Sequence, residues 1–122
     1  MQLLVLILSK TALMPGIISR LMQEGYGDPT VISGEGAVSI LDSSNIEPPP
    51  IFGSLRRFIN GTDKHENKLM LLVLPDEKVE AAQELISEEV GGIEKPNTGI
   101  MFTLPIGGVR GLFRAVPDGS VR

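Results

Sequence analysis

Two stretches of this chain, LLVLIL at 3–8 and KLMLLVL at 68–74, are apolar with no alternation of polar residues. A strand with one wet face alternates, so these read as strands covered on both faces, or on one face plus an interface. The chain has 122 residues, enough for a single domain with one two-layer core and not for two cores. One layer of helices covers one side of a sheet. The sequence therefore sets a question at once: what covers the other side?

The remaining elements follow from periodicity and punctuation. After the first strand, Leu13, Met14, Ile17, Ile18 and Leu21 recur at helical spacing until Gly25, which predicts a helix from about Ala12 to Glu24. Pro15 fits only in its first turn, where a missing N–H leaves no bond unmade. A Gly-Asp-Pro turn at 27–29 precedes a short strand, TVIS at 30–33. Residues 34–66 show no regular period and contain Pro48-Pro49-Pro50, so they read as one long functional or disordered loop. The second apolar strand leads through Pro75 into a helix with Asp76 as its N-cap and Val79, Ala82, Leu85, Ile86 and Val90 as its apolar stripe. Gly91-Gly92 closes that helix, and IMFTLPI at 100–106 and VRGLFRAV at 109–116 are the last candidate strands. In IMFTLPI, Ile100 to Leu104 reads as core-facing, with Gly107-Gly108 as a tight connection onward.

A β-α-β unit, a long loop and a second β-α-β unit favour an α+β, ferredoxin-like two-layer sandwich with an antiparallel sheet and both helices on one face. The bare face is then most simply covered by the same face of a neighbouring subunit, which predicts an oligomer.

Composition excludes several function classes. There is no cysteine, which removes disulfides and thiolate chemistry, and the lone His65 rules out a multi-histidine metal site. A formal charge of −4, from fifteen acidic and eleven basic residues, argues against a broad nucleic-acid surface. MQLLVLILSK has no basic n-region and too short an apolar run for a signal or a membrane span, which places the protein in the cytoplasm. The carboxylates are scattered over loops and caps, and His65 sits in a charged run, so no catalytic residue and no metal ligand is assigned. The enzyme alternative is a small ferredoxin-like catalyst using loop carboxylates such as Asp42 or Asp63. A ligand-free structural or adaptor trimer is the other.

The candidate binding residues are glycines and arginines. Gly34-Glu35-Gly36 leaves a strand directly and reads first as a turn, and second as a place where backbone N–H groups approach an anion. Neither a Walker A loop nor a dinucleotide fingerprint is present. Arg56 and Arg57 make residues 51–68 locally basic, suited to a phosphate or to an acidic patch on a partner. Arg110 follows the 99–106 segment and is placed to reach a ligand held near Gly99.

The order of these pieces resembles the PII-type nitrogen-regulatory proteins and their PII-like relatives. The resemblance is carried by QLLVLIL, a strand into GEG with a long loop after it, KLMLLVLPDEKVEAAQELI, and GGIEKPNTGIMFTLPIGGVRG. It extends from about residue 2 to 112. It implies a homotrimer of ferredoxin-like subunits, forming one PII-like domain over 1–122 with a T-loop-like insertion at about 37–66. It further implies signalling without catalysis: ATP, ADP or another small anionic effector binds in clefts between subunits and controls docking of the loop onto a protein partner such as a transporter or a regulated enzyme. Gly99 matches the family's phosphate-holding glycine, and Gly34 and Gly36 match its glycines at the base of the T-loop; the resemblance makes all three candidate binding positions. Ile100 stands where better-known members carry a phosphate-binding lysine, and the two family arginines fall at Gly111 and Phe113, beside Arg110 and Arg114. The loop has no tyrosine, so tyrosine modification there is excluded.

Overall fold

The computed structural model describes residues 1–46 and 66–111. Its centre is a four-stranded, wholly antiparallel sheet in the order β2-β3-β1-β4. The strands are β1 (Gln2–Leu8), β2 (Thr30–Glu35), β3 (Glu66–Leu74) and β4 (Gly99–Pro105). Among the described residues the α-helices between them are α1 (Met14–Gln23), α2 (Ala37–Ser43) and α3 (Val79–Glu89). The architecture is α+β, and its strand order is compatible with a ferredoxin-like sandwich.

The two apolar runs pair with each other in the middle of the sheet, Leu4 opposite Leu72 and Leu6 opposite Met70. Because strand side chains alternate, Leu4, Leu6 and Leu8 share one face with Met70, Leu72 and Leu74. Against that face pack Met14, Ile17 and Leu21 of α1 and Val79, Ala82, Leu85 and Ile86 of α3, all in one buried cluster. Both long helices therefore lie on the same side. Arg20 ties them together from the rim, its guanidinium 3.4 Å from Glu88 and 3.4 Å from Glu89, with Glu24 one turn along its own helix at 3.5 Å.

Helix starts differ in detail from the sequence expectation. α1 is preceded by a 3-10 turn at Thr11–Leu13, and Pro15 sits in its first turn as anticipated. α3 also opens through a 3-10 turn, Asp76–Lys78, but Asp76 makes no capping bond. Its carboxylate is instead 3.0 Å from the Met1 ammonium. Asp76 is the first residue of that turn and Pro75 its N-cap, so the Asp76 side chain does not stand in the capping position.

Three expectations are corrected. Gly34 does not end its strand; β2 continues through it to Glu35, paired with Asn67 and Glu66. The stretch from 34 is not structureless throughout, because α2 forms at Ala37–Ser43, beginning at Gly36, whose carbonyl accepts the Ile40 N–H at 3.1 Å. Asp42 thus lies in a helix rather than a loop. Finally, Val109 to Gly111 form no strand; the rest of the anticipated VRGLFRAV strand lies outside the described residues. So do Pro48-Pro49-Pro50, Arg56, Arg57, Asp63 and His65.

Candidate functional site

Two features of the sheet are candidates for function: its uncovered face and its two ends. The uncovered face carries the alternate residues of every strand. Leu3, Val5 and Ile7 on β1 stand opposite Leu104, Phe102 and Ile100 on β4 and opposite Val73, Leu71 and Leu69 on β3, with Thr30 and Ile32 of β2 completing the rows. None is charged. Ile100 is 57% exposed, Leu104 48%, Ile32 46% and Phe102 39%. Ile100 to Leu104 is therefore core-facing only at Met101 and Thr103, because β4 alternates like any strand. A contiguous apolar patch of this kind marks an interaction site more often than a plain surface.

One end of the sheet brings together the glycines singled out in the sequence. Gly99 pairs with Leu8, Leu8 with Lys68, and Lys68 with Ser33, next to Gly34. Gly99 and Gly34 thus share an end but lie on opposite edge strands, three strand spacings or about 14 Å apart. Gly36 follows immediately, at the start of α2. Lys68 adds a cation here, donating to Ser33 Oγ at 2.7 Å.

The need for glycine at 99 has a cause within the fold. A Cβ there would overlap the Ile7 carbonyl oxygen and stand 3.2 Å from Leu8 Cα. The chain enters β4 pressed onto the backbone of β1, and the fully buried Thr98 just before it accepts the Ser9 N–H at 2.9 Å. Gly34 gives room in a milder way: a Cβ would meet the Asn67 side chain at 2.8 Å.

Arg110 is at the opposite end. It lines a cavity of about 440 Å³ with Leu3, Tyr26, Asp28, Val73 and Lys78 among its walls. Leu3 lies five residues from Leu8 along β1, or about 17 Å, so within one chain Arg110 does not reach a ligand at Gly99. Lys78 sits over the Tyr26 ring, 5.9 Å from its centre, in cation-π range. Among the described residues neither Lys78 nor Arg110 is within ion-pairing distance of a carboxylate. The cavity therefore offers two cations with no carboxylate partner among the described residues, one aromatic ring and an apolar floor. That chemistry suits a small anion with an apolar part.

Lys78 and Tyr26 were not legible as site residues. Tyr26 belongs to a Gly-Tyr-Gly-Asp-Pro turn and Lys78 to the entry of α3, and only the tertiary fold places both beside Arg110. Near them, Asp76 titrates below its ordinary value, hydrogen-bonded by the Met1 ammonium and attracted by its charge. Among the described residues no group of three or more His, Asp or Glu is arranged to hold a metal ion, and no helix is long and apolar enough to cross a membrane. No family model matches the chain, and no curated protein matches it at a significant level.

Proposed function

We propose that this chain is a non-catalytic signal-transduction subunit of the PII-like kind, with a ferredoxin-like fold of repeated β-α-β units. Three copies assemble through the uncovered sheet faces in the cytoplasm. A small anionic effector, ATP, ADP or a relative, binds in the clefts between copies. Its occupancy controls how the stretch 37–66, with Arg56 and Arg57, docks on a protein partner.

The observation that carries this reading is the charge-free apolar sheet face of an otherwise acidic chain. Leaving such a face in water forfeits apolar burial at about 25 cal/mol per Å², and a second identical face is a partner always present at equal concentration. The two ends of the sheet support the position of the effector. A ligand that used both the Gly34–Gly99 end and Arg110 would have to lie between two chains, since one chain holds them far apart. The change in loop docking needs only an effector with different affinity for two loop states.

Sedimentation equilibrium and isothermal calorimetry with ATP, ADP and small carboxylates test the reading. A trimer that binds at least one of them is the expected result. A monomer at all concentrations, or no binding to any of the panel at millimolar levels, would sink it.

A further inference from the structure

The cavity at Arg110 and the uncovered sheet face are not separate surfaces. Leu3, Leu71 and Val73 belong to both: they line the cavity, and they point away from the helices in the rows opposite Leu104 and Phe102. A molecule seated on the face near these residues also walls the cavity.

We infer that anion binding in this cavity and self-association through the sheet face are positively linked, so that each strengthens the other. The inference rests on the proposed reading of the face as a contact between copies. Charge favours a second copy as the occupant. The chain carries −4 overall, and Glu77, Glu80, Glu84 and Glu88 are exposed around α3, so copies repel through that side. The sheet face has no charge to oppose the approach of an identical face.

The sign of the linkage follows from Lys78 and Arg110. Both line the cavity that such a contact would wall, and among the described residues Asp28 is the one carboxylate lining it, outside ion-pairing distance of either. A second copy that covers Leu3, Leu71 and Val73 removes water from these cations. Taking unpaired charge out of water opposes association. An anion in the cavity supplies the missing countercharge and removes that opposition. By thermodynamic reciprocity, association raises anion affinity by the same factor.

The test is a dilution series by sedimentation equilibrium with and without saturating inorganic pyrophosphate, and separately ADP, at matched ionic strength. The association constant of the wild-type chain is expected to rise by a factor in the range of ~5–150. The double variant Lys78→Gln with Arg110→Gln should associate more tightly than ligand-free wild type and stop responding to either probe. Calorimetry on the same samples separates the possible failures. Binding with an unchanged or weakened association constant overturns the linkage and leaves the effector site standing. Binding to a chain that stays monomeric overturns the linkage and the assembly together. A double variant that associates more weakly than ligand-free wild type refutes the desolvation argument. An ADP response without a pyrophosphate response keeps the linkage and shows that the apolar floor is needed as well as the charge.

Discussion

The two faces of the sheet are made from the same kinds of residue and meet different surroundings. On one, Leu4, Leu6, Met70 and Leu74 are sealed under α1 and α3. On the other, Phe102, Leu104 and Ile100 have the same apolar chemistry but stand exposed, with no cover from the described residues. The absence of alternation in β1 and β3 reflects two separate demands on one strand. The even residues of β1 pack under the helices, and the odd ones lie on the other face, where Val5 is buried and Leu3 and Ile7 are half-buried. If that division is right, equal truncations on the two faces must act on different equilibria.

The largest contrast comes from changing one residue on each face. Leu6→Ala empties a fully buried position and should lower folding stability by about 2–5 kcal/mol, read from urea unfolding. Phe102→Glu should leave the folding of the isolated chain within about 0.5 kcal/mol. In the proposed assembly it should weaken association by about 3–5 kcal/mol, because it places an unpaired charge in the contact. Were Phe102→Glu instead to unfold the chain while leaving its oligomeric state unchanged, the uncovered face would be structural and the contrast would collapse.

Gly99 sharpens the comparison at the edge where β1 meets β4. Gly99→Ala forces a Cβ onto the Ile7 carbonyl and Leu8 Cα, both of them backbone and unable to swing aside. The expected loss is about 1–3 kcal/mol of stability. Gly34→Ala should cost less, since the group it meets is the Asn67 side chain, which has room to rotate. Equal losses at the two sites would show that the close approach of β4 to β1 is not what demands glycine.

How much of this was readable beforehand varies with the range of the interaction. β1, β3 and α1 are legible because their apolar runs and spacings are local, and Pro15 and Gly25 mark the ends of α1. The bare face was also foreseeable, from a count of layers in a chain of this length. α2 was not: AVSILDS makes barely two turns, with a glycine rather than a side-chain acceptor at its start. Gly99 stands out in the sequence as a phosphate cradle, whereas its contact with Ile7 needs the register of two strands more than ninety residues apart. The cavity at Arg110 was illegible for the same reason. Its cations come from separate parts of the chain, and nothing local in the turn at Tyr26 points to Lys78.

The helical layer offers a smaller effect. Arg20 bridges α1 to Glu88 and Glu89 of α3 at the rim, with its side chain 35% exposed. Arg20→Ala should lower stability only slightly, as expected for an exposed ion pair, read from urea unfolding. High salt should shrink the difference further, because screening acts within about 3 Å at 1 M. A salt-independent loss would mean that the aliphatic stem of Arg20 contributes by packing rather than by charge.

The smallest expected effect has the clearest pH signature, and it lies at the edge of the helical layer rather than on the sheet face. Asp76 is held ionised by the Met1 ammonium, so its folded-state value lies below its ordinary one of 3.8. A group depressed in this way adds stability above its unfolded value and loses that stability as pH falls through its folded value. Asp76→Asn should therefore be slightly less stable than wild type at about pH 7, and the gap should close on acidification through the carboxylate range near pH 3–4. Urea midpoints of the two chains across that range provide the measurement. Because the carboxylate is largely in water, the gap at neutral pH is small, and its disappearance in acid is the informative part. A gap that persisted at acidity below the folded value, where the carboxyl is protonated in both states, would mean that Asp76 supports the entry to α3 through its shape or hydrogen bonding and not through its charge.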